Sequence, residues 1–245
     1  MFEFVIAVPP HSGGNRMALM LRELGLTIEH EKAFIASNAG RHRRMTANPD
    51  KWFGSSRQGE VSSWVGELKM HKSWHGVFLA RDPFEVVLEH LSGGDFTDEA
   101  MRASRQEIRA RRVCVGESYA TGETELDRCI WAAAAVSNSL YEFAEQAGVE
   151  VLRYDAKLGD VVKALGIKGI KVARIKAAED KFFLDSEMPT TAESLATRSV
   201  DPDKIQELVW ASAVNWVCEE ARRAGAWSET TSKTKSLPTR PTGEK

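Results

Sequence analysis

The stretch Phe2-Glu3-Phe4-Val5-Ile6-Ala7-Val8-Pro9-Pro10-His11-Ser12-Gly13-Gly14-Asn15-Arg16 decides how the rest of the chain is read. Its first half is a short β-branched and aromatic run, the pattern of a buried strand, and Pro9-Pro10 gives it a hard stop. Ser12-Gly13-Gly14 then makes a turn. Apolar residues recur at helical spacing through Met17, Met20, Leu21 and Leu24, and Gly25 stands where a helix C-terminus is expected. The unit is strand, glycine turn, helix.

Such a turn gathers backbone N–H groups, the Ser12 hydroxyl, the Asn15 amide and two potential cations, His11 and Arg16, around one helix N-terminus, an arrangement that suits an anion. It lacks the G-x-x-x-x-G-K-[ST] spacing of an ATP-binding Walker loop and the G-x-G-x-x-G of a dinucleotide site. A hydrolase elbow at Ser12 needs glycine where Pro10 stands, and all six histidines lie at or before position 90, ahead of where that fold supplies its base.

Working outward, Gly76 to Ala80 is a continuous apolar strand closed by Arg81-Asp82-Pro83. Asp82 suits an N-cap and Pro83 the first position of a helix running to Leu91. The spacing also predicts helices over Val61–Met70, Asp98–Arg112, Glu123–Ala147, Leu158–Leu165 and Pro202–Gly225, and a strand over Val149–Tyr154. Strands alternating with helices imply an α/β fold, a mostly parallel central sheet in three layers. Ligands then sit beyond the carboxyl ends of the strands, where both junctions fall. Residues 1–227 read as one such domain and 228–245 as a disordered polar tail.

Composition agrees with a globular chain: 245 residues, 42% hydrophobic and 28% charged, with a formal net charge of −2. That balance disfavours a strongly basic nucleic-acid binder. No run approaches a membrane span, the N-terminus reads as a first strand and not as a leader, and the expected address is the cytoplasm. Cys114, Cys129 and Cys218, an odd number with no C-x-x-C spacing, read as reduced thiols. His71 and His75 have a helical metal spacing, but a strand follows at once and no third ligand is evident. The arginines of Asp98–Arg112 suit a solvated face or a gate for an anionic ligand, and Trp64 is a candidate wall for an adenine or an acceptor.

The two junctions together resemble the sulfotransferase family. Pro10-His11-Ser12-Gly13-Gly14-Asn15-Arg16 is similar to its 5′-phosphosulfate loop, and Val77-Phe78-Leu79-Ala80-Arg81-Asp82-Pro83 to its strand, Arg-Asp-Pro, helix segment. Ile28-Glu29-His30-Glu31, Gly59-Glu60-Val61-Ser62-Ser63-Trp64 and Val151-Leu152-Arg153-Tyr154-Asp155 resemble further stretches of bacterial members. The resemblance implies a P-loop NTPase-like fold and a sulfuryl donor, 3′-phosphoadenosine 5′-phosphosulfate, used without a metal. It assigns residues 10–16 and Arg81 to the donor, with His11 or Arg16 stabilising the departing phosphate, and Glu31 to the base that deprotonates a hydroxyl or amine acceptor; His30 beside it is the rival base, because an unperturbed imidazole titrates near neutral pH.

The chain departs from the family pattern in three ways. His11 replaces Lys or Arg, Gly14 and Asn15 replace two Thr, and Glu89 stands eight residues after Arg81, where the family has the Ser that binds the 3′-phosphate. A carboxylate there repels a phosphate or pairs with Arg81. Ser92 and the Arg41–Arg44 cluster are the alternative holders of the donor. A non-catalytic nucleotide- or anion-binding relative is therefore the competing expectation, with a kinase-like phosphotransferase behind it.

Overall fold

A computed structural model describes residues 3–32, 58–66 and 72–183. Five strands form one sheet in the order β2-β3-β1-β4-β5, with β1 Phe4–Ala7, β2 Ile28–His30, β3 Gly59–Ser62, β4 His75–Ala80 and β5 Glu150–Arg153. All four strand pairings are parallel. Every strand therefore ends at the same edge, so His11, Glu31, Ser63, Arg81 and Tyr154, each just past a strand, share that edge.

Alternation along β1 builds two cores. Val5 and Ala7 point with Phe78 and Ala80 into one, closed by α2 (Pro83–Gly93) and α5 (Glu125–Ala147). Phe4 and Ile6 point with Val77 and Leu79 into the other, closed by α1 (Gly14–Glu23), α6 (Leu158–Ala164) and α7 (Val172–Phe183). Helices on both faces of a parallel sheet are the expected α/β layering. β1 and β4 are neighbours, yet the helix after β1 packs on one face and the helix after β4 on the other. The sheet switches direction between them, which opens a crevice beyond their carboxyl ends.

Several local expectations change. Gly59–Ser62 is a strand, not the start of a helix, because Val61 pairs with Ile6 in β1 on one side and His30 in β2 on the other. The helical spacing of Val61, Trp64 and Val65 is real, but backbone pairing in mid-sheet overrides it. The charged segment after Thr97 is two helices, α3 Asp98–Ala103 and α4 Arg105–Val115, broken at Ser104. α7 has no counterpart among the expected elements. Cys129 is buried and joined in no disulfide. The Arg41–Arg44 cluster, His71, the helix expected over Pro202–Gly225 and the expected tail lie outside the described residues. Among the described residues no helix is long and apolar enough to cross a membrane.

Local signals hold at the helix ends. Thr124 and Asp127 form a capping box on α5, and Asp82 caps α2, its Oδ1 accepting from the Phe84 N–H at 2.8 Å. Asp82 is 1% exposed, and burial pushes its carboxyl from 3.8 up to about 7. A folded value above the unfolded one means the native state holds the extra proton between them. This contribution to stability is complete below the unfolded value and is lost as pH rises through the folded one. Asp82→Asn keeps a good cap and removes that slope. Urea denaturation across this window should show the native chain losing stability toward neutral pH, and the variant losing less.

Candidate functional site

The turn after β1 takes two left-handed residues, His11 at φ +57° and Gly13 at φ +73°, so successive N–H groups curl toward the start of α1. Gly13 is the N-cap residue and supplies no capping side chain, which leaves the first N–H groups of the helix for water or a ligand. His11, Gly13 and Asn15 are exposed, while Ser12 is buried, its Oγ donating to the Pro10 carbonyl at 3.2 Å. The Arg16 guanidinium lies near Gly13, and its Nε is buried without a hydrogen-bond partner. The His30 ring sits against Gly14 so closely that a Cβ there would lie 2.7 Å from its Nε2. Burial lowers the His30 pKa; Glu31 opposes that and Arg22 adds to it.

Arg81 joins the second junction to the first. It is 8% exposed and each of its nitrogens has an acceptor: one terminal nitrogen donates to the His11 carbonyl at 2.5 Å, Nε to Glu85 at 3.0 Å and the other terminal nitrogen to Glu89 at 3.0 Å. The Tyr154 ring lies 4.7 Å from the guanidinium carbon. The carboxylate expected to compete for Arg81 does so, and Glu85, one helical turn earlier, joins it.

Two further clusters complete the edge. His11 Nε2 and His90 Nδ1 each lie 2.7 Å from the same Asp95 oxygen. Burial lowers the His90 pKa; burial also pushes the Asp95 carboxyl up, but the histidine hydrogen bonds outweigh that and hold it below the usual range. On the other side, Glu31 Oε1 accepts from the Ser63 hydroxyl at 2.6 Å and from its N–H at 3.2 Å. Ser63 Oγ in turn accepts from Arg111 at 2.9 Å, and the guanidinium of Arg111 stacks 3.6 Å over Trp64. Tyr119 lies within electrostatic reach of both clusters. Burial pushes its hydroxyl up to about 12, with Arg111 opposing and Glu107, Asp95 and Glu31 reinforcing the shift.

The structure thus brings His11, Ser12, His30, Glu31, Arg81 and Glu89 to one edge of the sheet. It corrects two readings. Trp64 is 2% exposed beneath Arg111, a core residue and not an open wall; Arg111 is 5% exposed and does not belong to a solvated face. His90, Asp95 and Tyr119 were not singled out from sequence, Ser63 entered only within a resembling stretch and Arg111 only among the arginines of its helix. The one readable signal was Gly93-Gly94 after His90, since a left-handed glycine at a helix end turns the following residue back on the last turn.

Gly14→Ala should destabilise the fold by about 1–3 kcal/mol, because the added methyl meets both His30 and Val8. Denaturant melts measure the loss, and the His30 imidazole resonances should shift as the ring is displaced. No family model matches this chain and no curated protein matches it.

Proposed function

We propose that this chain is a sulfotransferase-like protein that holds 3′-phosphoadenosine 5′-phosphosulfate against the 10–16 turn and moves its sulfuryl group to a hydroxyl or amine acceptor. The observation that carries the reading is the Arg81 bond to the His11 carbonyl, which draws the two resembling junctions together at the switch between β1 and β4. N–H groups at the start of α1, Asn15 and Arg16 hold the phosphosulfate, and Ser12 joins them by turning its hydroxyl away from the Pro10 carbonyl. His11 stabilises charge on the departing phosphate.

The acceptor oxygen or nitrogen attacks sulfur and the bond from sulfur to the bridging phosphate oxygen breaks, releasing adenosine 3′,5′-bisphosphate. Glu31 takes the acceptor proton, held by the Ser63 hydroxyl. His30 is the rival base: its lowered pKa favours the neutral imidazole that a base requires.

A specific observation favours a second reading, a non-catalytic anion-binding relative: Glu85 and Glu89 already neutralise Arg81. Calorimetry with adenosine 3′,5′-bisphosphate in the absence of metal, followed by an acceptor screen, separates the two. Arg81→Ala should weaken bisphosphate binding at least about tenfold, equivalent to about 1.4 kcal/mol, and Glu89→Gln should tighten it by freeing a donor. Unchanged affinity in both removes Arg81 from the 3′-phosphate. Glu31→Gln should abolish turnover and spare donor binding; retained turnover moves the base to His30. Bisphosphate binding with no turnover on any acceptor supports the second reading.

A further inference from the structure

His11, His90 and Asp95 converge for reasons that lie in the backbone. His90 occupies the last turn of α2, and Gly94 follows in the left-handed conformation at φ +69°. The chain reverses there, the Asp95 N–H donates to the His90 carbonyl at 3.2 Å, and the Asp95 carboxylate comes back against His90 Nδ1. His11 arrives from the turn after β1. Its positive φ is uncommon for a residue with a side chain and costs on the order of 1 kcal/mol. Arg81 holds its carbonyl from behind. The two rings meet edge to face with centroids 4.9 Å apart, and Phe96 closes the apolar side, its centroid 5.0 Å from that of His90.

We propose that His11 Nε2, His90 Nδ1 and an Asp95 carboxylate oxygen form a binding site for one divalent transition-metal ion of the zinc class. Two imidazole nitrogens and one carboxylate oxygen are a donor set such ions take, with a fourth position left to water or a ligand. The three donor atoms lie within 4.8 Å of one another. Donors on a tetrahedral ion of this size sit roughly 3.3 Å apart, so each imidazole nitrogen would withdraw about 0.6 Å from the Asp95 oxygen, and the two nitrogens, which lie within 4.8 Å of each other, would swing to about the same separation. His90 is 3% exposed and built into the helix, whereas the side chains of His11 and Asp95 are 37% and 33% exposed and leave an entry path. The ion would stand at the mouth of the turn, beside the position where His11 replaces the family's fixed cation. The site does not depend on which anion the turn holds.

The same contacts without an ion would be a hydrogen-bonded strap tying the turn to α2, and metal titration distinguishes the two. Full-length chain stripped with chelator is titrated with Zn²⁺ by calorimetry and with Co²⁺ by visible absorption. The expected result is one equivalent bound with micromolar or tighter affinity, and a Co²⁺ band characteristic of nitrogen and oxygen donors at low coordination number. His11→Ala and Asp95→Asn, both at partly exposed positions, should each weaken binding by more than the roughly 10–100-fold that loss of an outer-shell partner costs. His75→Ala, at an exposed histidine elsewhere on the sheet, should leave it unchanged. Absence of saturable binding, or binding that survives both substitutions, overturns the site and leaves the strap. Bisphosphate calorimetry with and without Zn²⁺ reads the nucleotide proposal separately, so either can fail alone.

Discussion

The Arg81 guanidinium is the contact on which the functional edge depends. A buried cation must find acceptors, and removing one partner of a buried charge pair costs about 3–5 kcal/mol. Arg81 satisfies this with one backbone carbonyl and two carboxylates. The carboxylates are on α2 and about a third or less exposed, so their Coulombic share is screened. The carbonyl of His11 belongs to a different strand unit, and that bond fixes where the turn after β1 lies relative to the start of α2. Asp82, beside it, is the other buried ionisable group at this junction; its capping bond starts α2 at Pro83.

Around this contact the edge divides by charge. The Asp95 carboxylate gathers two imidazoles on the side of the turn, and the Glu31 carboxylate gathers Ser63 and, through it, Arg111 on the side of β2 and β3. Tyr119 lies within electrostatic reach of both and keeps its proton at neutral pH. Each carboxylate therefore has a dedicated set of donors. His11, Gly13 and Asn15 of the turn are the part of this edge left facing solvent.

Much of this was legible because it is local. The strand ending at Pro9-Pro10, the cap at Asp82, the glycine after α1 and the buried run of β4 each follow from residues within a few positions of one another. The competition of Glu89 for Arg81 was also readable, since the resemblance puts a 3′-phosphate Ser at that place and a carboxylate there pairs with a nearby guanidinium. The helix expected over Val61–Met70 failed at its start because mid-sheet pairing on both sides of β3 outweighs side-chain periodicity. The arginine-rich segment misled in a related way: a charged helix reads as solvated, yet Arg111 faces inward to Ser63 and Trp64.

The amino-acid sequence by itself determined the α/β alternation, the two strand-to-helix junctions and the glycine turn after β1, because hydrophobic period, proline, glycine and capping residues act over a few bonds. Only the tertiary structure decided the strand order, the opposite faces taken by α1 and α2, and the meeting of His11 with Asp95 across 84 residues and of Ser63 with Arg111 across 48. Those contacts are set by which strands pair and which helix covers which face. That choice minimises exposed apolar area and unpaired backbone over the whole chain, and no short stretch of sequence carries it.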